Sequence, residues 1–249
     1  MRMLRGSVVA AIVAVCVGVV IGYQSTRPAA ATPNPVVFVP APGFYRNFSP
    51  GVRASVADVY WLYTIQYYGE HLKSDHRLDS LPAMVRLVTT LSPHFTEAYF
   101  FGAFAMIDVG RPDVAYALLQ QGFKANPGNW RFPFYLGFFA YTYASGAHKD
   151  QVAAQWYAAA ARLPGVPPFV ARLAAELATK GNDTQKAIDL WAQVYGQGDT
   201  YARQKAVSAL DGLLPKGTVA REKAVARLKG FVSPALFDQF IADLFQGYK

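Results

Sequence analysis

Between Glu70 and Asp79 the chain carries two imidazoles and three carboxylates in ten residues: Glu70, His71, Asp75, His76 and Asp79. Side chains of these types hold divalent metals, and a carboxylate next to an imidazole can move protons. Their spacing matches no common ligand set, and a capped turn between two helices uses the same residue types. Two readings stand side by side here: a structural turn, or the site of an envelope enzyme. The rest of the inventory is thin. His94 and His148 fall in turns. Glu97 and Glu176 are the carboxylates on the apolar segments, where a raised-pKa glutamate would suit glycoside cleavage, but neither has a catalytic neighbour in the sequence. The chain has no GxxxxGK[ST] phosphate loop, GxSxG elbow or HExxH helix, and Gly196-Gln197-Gly198 is only a fragment of a glycine pattern. Cys16 is the single cysteine, which rules out an intrachain disulfide and any CxxC site. The expectation is a protein that is not an enzyme, with no catalytic residues, no metal, no cofactor and no small-molecule substrate.

Composition narrows the class further. Of 249 residues, 53% are hydrophobic, 14% aromatic and 16% charged, with a net charge of +8. The positive excess is spread without a dense run. It suits an acidic partner or an anionic surface, and lacks the basic stripe of a nucleic-acid binder. Arg2 and Arg5 precede a charge-free run from Ser7 to Tyr23. Seventeen residues at helical rise span about 26 Å, slightly short of a hydrocarbon core of roughly 30 Å. Residues 1–25 therefore read as an N-terminal membrane anchor, with a cleaved signal or a lipoprotein at Cys16 as alternatives. Positive residues before the span put the body outside the cytoplasm, on the periplasmic or extracellular face. Residues 26–53 are proline-rich, with Pro28, Pro33, Pro35, Pro40, Pro42 and Pro50. They read as a stiff linker in which Val36 to Val39 and Phe44-Tyr45 have the option of packing along the helical segments beyond it.

Those helical segments repeat. The stretch from Phe95 to Pro127 holds two helix-period runs joined at Val109-Gly110-Arg111-Pro112 and closed by Ala125-Asn126-Pro127. Thirty-four residues before Pro127 stands Pro93, in Leu91-Ser92-Pro93. The next unit runs from Trp130 to Pro164, with a longer turn at Ser145 to Lys149, and a fourth runs from Pro168 to Tyr195 around Gly181-Asn182-Asp183. Small residues at Gly102, Ala103, Gly137 and Ala174 let paired helices approach, as do Ala115, Ala153 and Ala187 from the other side. Leu119, Tyr157 and Trp191 fill the gap to the next unit. One hairpin alone would leave an apolar face bare, so neighbours must stack.

These residues resemble the tetratricopeptide repeat (TPR) family in its membrane-anchored bacterial form, over roughly Tyr60 to Tyr195. The resemblance implies an all-α fold: a right-handed superhelix of TPR-like hairpins over residues 54–199, with an N-terminal apolar helix. The segment from Ala54 to Pro93 fits poorly and reads as a capping hairpin. Residues 200–249 form a C-terminal cap of further helices, Tyr201–Leu214, Val219–Lys229 and Pro234–Phe245. Sustained two-residue alternation is missing, so little or no sheet is expected.

The resemblance also implies a concave surface lined by the first helix of each hairpin. Counted from the small-residue positions, it carries Glu97, Phe100, Phe104 and Ile107 in one unit and Arg131, Phe134, Phe138 and Tyr141 in the next. Each set lies at helical spacing, so each makes one stripe. The expected partner is an apolar helix or extended segment of another protein, with residues 7–23 in the membrane and no nucleic acid. The expected role is a membrane-tethered, extracytoplasmic scaffold in an envelope assembly of the secretion, pilus or surface-polymer export type. The alternatives are the enzyme around Glu70–Asp79 and a spacer without a client.

Overall fold

The computed structural model describes Val15, Gly18 and residues 38–45, 47–48 and 50–246. By contact the chain divides into residues 1–38 and 39–249. In the first unit only Val15, Gly18 and Phe38 are described. The second unit is all-α, and the described residues include no strand. Its helices pair into four hairpins in chain order: α1 (Pro50–Lys73) with α2 (Leu81–Leu91), α3 (Thr96–Asp108) with α4 (Pro112–Ala125), α5 (Arg131–Tyr143) with α6 (Lys149–Ala161), and α7 (Phe169–Lys180) with α8 (Thr184–Gln197). Each hairpin packs on the next, and α9 (Thr200–Leu213) continues from α8. The C-terminal end is closed by α10 (Thr218–Ala226), a 3-10 turn at Arg227–Gly230, and α11 (Pro234–Phe245).

The turns within hairpins arise from local chemistry. After α3, Gly110 takes φ +71°, its N–H donates to the Ile107 carbonyl, and the Arg111 N–H donates to Met106. These two hydrogen bonds satisfy two orphan carbonyls, and Pro112 then opens α4 where no N–H is needed. The same device ends α7 with an asparagine: Asn182 takes φ +57°, its N–H reaches Thr179, and the Asp183 N–H reaches Ala178. Asp183 then caps α8 by accepting from the Lys186 N–H.

Packing between helices depends on the small residues. A Cβ on Gly137 would lie 3.2 Å from the Ala153 carbonyl oxygen, so α5 and α6 approach almost backbone to backbone. A Cβ on Gly102 would come closer still, 2.5 Å from Val85 Cγ1 and 2.8 Å from Leu118 Cδ2. Leu119, Tyr157 and Trp191 are buried, Tyr157 against Gly137 and Phe134 and Trp191 on Thr179 of the same hairpin rather than in a gap to the next. Each such side chain contributes about 1.5–3 kcal/mol by leaving water. Burial also pushes the Tyr157 hydroxyl up to about 12. One continuous core runs from Ala140 to Leu244, and a second gathers Ala57, Leu87, Val88, Leu91 and Ala98 under Val39 and Tyr45. At the C-terminal end the buried Arg221 donates to Asp211 Oδ1 at 2.7 Å and to the Leu244 carbonyl, which ties α9, α10 and α11 together. Tyr195 on α8 donates to Asp243 on α11.

The expected membrane anchor needs correction. Among the described residues no helix is long and apolar enough to cross a membrane. Apart from Val15 and Gly18, the run expected to span it, residues 7–23, lies outside the described residues, as do Val36 and Val37. The membrane-anchored TPR assignment, membrane contact through residues 7–23, the extracytoplasmic location and the tethered role in an envelope assembly therefore lose their basis. As a helix, an apolar run of seventeen residues rises only about 26 Å, short of a hydrocarbon core of roughly 30 Å.

Candidate protein-binding face

The first helices of successive hairpins place α3 and α5 side by side. On α3, Glu97, Phe100, Phe104 and Ile107 form one stripe at helical spacing, and on α5 Arg131, Phe134, Phe138 and Tyr141 form the next. Glu97 and Arg131 meet across the two helices at 3.3 Å. The Thr96 hydroxyl and then Arg131 hold the Glu97 carboxyl below the usual range. The Arg131 guanidinium also lies 4.2 Å from the centre of the Phe100 ring, a cation–π contact.

The eight residues divide by burial. Phe100 is 5% exposed, stacked on Phe132 at 4.6 Å and Tyr135 at 5.2 Å, so it joins the two helices and presents nothing outward. Phe134 is half-buried and touches Trp130, Tyr157 and Phe169, and Phe138 is half-buried against the larger core. Ile107 is also half-buried. Phe104, at 40% exposure, and Tyr141, at 39%, remain open. Phe104 is held edge-on by Tyr135 at 5.3 Å and Phe139 at 5.6 Å, so its exposed edge is rigidly presented. The described segments nearest the two chain ends pack elsewhere rather than over this face. The 3-10 turn at Pro42–Tyr45 sits on α2, and α11 sits on α9.

The Glu70–Asp79 cluster resolves into a capped turn. His71 Nδ1 and Asp75 Oδ1 are 2.6 Å apart, and Asp75 also accepts from the Arg77 N–H. Those two hydrogen bonds, His71's first, lower the Asp75 pKa. Asp79 pairs with Arg77, and Ser74 donates to the Glu70 carbonyl. His76 occupies the left-handed conformation that the reversal requires, φ +57°. The Tyr67 hydroxyl donates to the Arg77 carbonyl and accepts from the Ser80 N–H, closing the turn onto α1. Among the described residues, no three His, Cys, Asp or Glu side chains converge as a metal site would need. Glu176 pairs with Arg172 on the next turn of α7.

The sequence did not point to several residues that complete the face. Tyr135 and Phe139, rather than Phe138, are the rings that brace Phe104. On α7 the buried alanines are 171, 174, 175 and 178, while Leu173 is half-buried. Ala174, the small residue the sequence marks, is fully buried together with Ala175. Phe169, Arg172, Glu176 and Lys180 lie at helical spacing on the stripe beside that of α5. Phe169, 43% exposed, touches Phe134, and the Lys180 ammonium lies 4.9 Å from the Tyr141 ring. Asp150 and then Tyr141 hold the Lys180 pKa above its usual value. The alanines at 171, 174, 175 and 178, recurring at helical spacing along α7, were the available signal.

No family matches the chain in sequence, and no curated protein matches it either. A solved structure described as the crystal structure of MamA protein is similar at 13% sequence identity and a TM-score of 0.41, over 76% of this chain and 90% of that one. A likeness at that level carries no argument about this chain.

Proposed function

We propose that the chain is a non-catalytic, TPR-like scaffold, a right-handed superhelix of hairpins that holds a segment of a partner protein on the α3–α5 face. The residues that receive it are Glu97, Phe104, Ile107, Arg131, Phe134, Phe138 and Tyr141, with Phe100 as the ring that keeps the two helices in register. An apolar helix or an extended segment is the occupant such a surface suits. The observation carrying this reading is Phe104: a large ring, braced by two others, stays 40% exposed and uncovered by any described segment. Leaving such a ring in water has no folding benefit, whereas a braced aromatic anchor loses little entropy on binding. Neither the Glu70–Asp79 turn nor the Glu176 surroundings favours an enzyme.

Photo-crosslinking in the native host tests this, with a photo-reactive residue at Tyr141 and a control at the exposed Val219 on α10. One dominant crosslinked protein at Tyr141 and not at Val219, lost on Phe104→Glu while the helical circular-dichroism signal persists, is the expected result. Crosslinks confined to the chain itself would remove the scaffold reading.

A further inference from the structure

The α3–α5 face and its continuation onto α7 and α9 differ in charge. On α3 and α5 the one cation, Arg131, is taken up by Glu97 and by the Phe100 ring, so that end is aromatic and neutral. Beyond it stand two exposed tyrosines, each flanked by two cations from different helices. Tyr141 has Lys149 at 5.4 Å and Lys180 at 4.9 Å, and Tyr201, 56% exposed, has Arg172 at 5.7 Å and Lys205 at 5.8 Å. Two of these cations have a carboxylate: Lys180 lies 3.3 Å from Asp150, and Arg172 lies 3.6 Å from Glu176. Among the described residues, Lys149 and Lys205 pair with none. Arg172 and Lys180 are eight residues apart on one face of α7, about 12 Å at helical rise.

Resting on the scaffold reading above, we infer that the bound protein segment is apolar or aromatic where it lies over Phe104 and Phe134, and acidic from Tyr141, at the end of α5 beside Lys149 of α6, across α7 to Tyr201 and Lys205 on α9. Each carboxylate of the segment would meet an ammonium that lacks one, beside a tyrosine ring that walls off water on one side. Charge-assisted contacts of that kind are about twice as strong as neutral hydrogen bonds. A basic or neutral segment would leave Lys149 and Lys205 uncompensated or repelled, so the face selects by charge as well as by apolar fit. A nucleic-acid backbone is a poor fit, because two such cations cannot track a line of phosphates.

The test is selection from a displayed random peptide library on the immobilised full-length chain, counter-selected on Phe104→Glu. Enriched peptides are then synthesised and measured by fluorescence anisotropy. The expected peptides carry an aromatic or aliphatic cluster adjoining two or more Asp or Glu. Their affinity should fall roughly tenfold or more in Lys149→Glu/Lys205→Glu, and should weaken toward about 0.5 M salt. Lys149 opens α6, where a glutamate is favourable to the helix, so folding is preserved and is checked by circular dichroism. Enriched peptides without an acidic end, or ones indifferent to the double charge reversal yet lost on Phe104→Glu, would overturn the acidic end and leave the face itself standing. No enrichment over Phe104→Glu would remove both.

Discussion

Replacing Gly122 by alanine puts two physical effects in opposition, and the structure says which wins. Gly122 lies inside α4, where intrinsic helix preference favours alanine by about 1 kcal/mol. The added Cβ, however, would stand 2.2 Å from Phe132 Cε1, 2.8 Å from Phe132 Cζ and 2.9 Å from Tyr99 Cδ1. Ordinary contact begins near 3.4 Å, so the Phe132 ring must retreat by about 1.2 Å, the difference between 3.4 and 2.2 Å. It has nowhere to go: Phe132 and Tyr99 are fully buried, and the Phe100 ring sits 4.6 Å away. Overpacking of this kind costs roughly 1–3 kcal/mol, at the upper end for a boxed ring. The expected net effect of Gly122→Ala is a loss of about 1–2 kcal/mol, a fall in Tm of roughly 2–8 °C for a chain of this size. Gly69 in α1 has nothing within 4 Å of the same added atom, so Gly69→Ala should move stability the opposite way, by up to about 1 kcal/mol. Urea unfolding followed by far-ultraviolet circular dichroism compares the two, with midpoints used because stacked arrays can unfold in steps. Shortening the ring with Phe132→Leu in the Gly122→Ala background should recover part of the loss. If Gly122→Ala proves as stabilising as Gly69→Ala, Phe132 is not wedged onto α4, and the placement of α5 against α4 falls with it.

Other perturbations have equally definite signs. The Trp191 indole N–H donates to the Thr179 hydroxyl at 3.0 Å, so Trp191→Phe should cost about 1 kcal/mol for the lost bond, and Trp191→Ala roughly 3–5 kcal/mol for the cavity, by chemical denaturation. Asp183→Ala removes the cap on α8 and should cost about 1 kcal/mol, whereas Asp183→Asn should be close to neutral, read by thermal melts. Because the Glu97 pKa is held low, its ionised form is the one folding favours. Its contribution is fully present above about pH 4.3, the ordinary glutamate value, and is lost as pH falls through the lowered folded value. The pair with Arg131 is half exposed and screened, so the effect is small. Wild type should lose slightly more Tm than Glu97→Gln over that interval.

What composition and spacing determined by themselves is the all-α class, the hairpin turns and the helix order. The reason is local: the Gly110-Arg111-Pro112 and Gly181-Asn182-Asp183 turns satisfy helix ends within a few residues, and alanine and glycine at repeating positions mark the close contacts. The two stripes on α3 and α5 were legible for the same reason, since residues three and four apart must share a face. Only the tertiary structure decided which rings of those stripes are buried. Phe100 and Phe104 are one turn apart and chemically identical, yet Phe132 and Tyr135 close over the first and leave the edge of the second open. The structure alone also separated Glu70, His71, Asp75, His76 and Asp79 into a capped turn. It alone placed Lys149 and Lys180, thirty-one residues apart in the chain, on either side of Tyr141. Spacing along one helix sets direction around its own axis, but which direction meets a neighbour depends on how far the next helix can approach, and that distance is set by the missing Cβ at Gly122, which admits the Phe132 ring, and at Gly137, which admits α6.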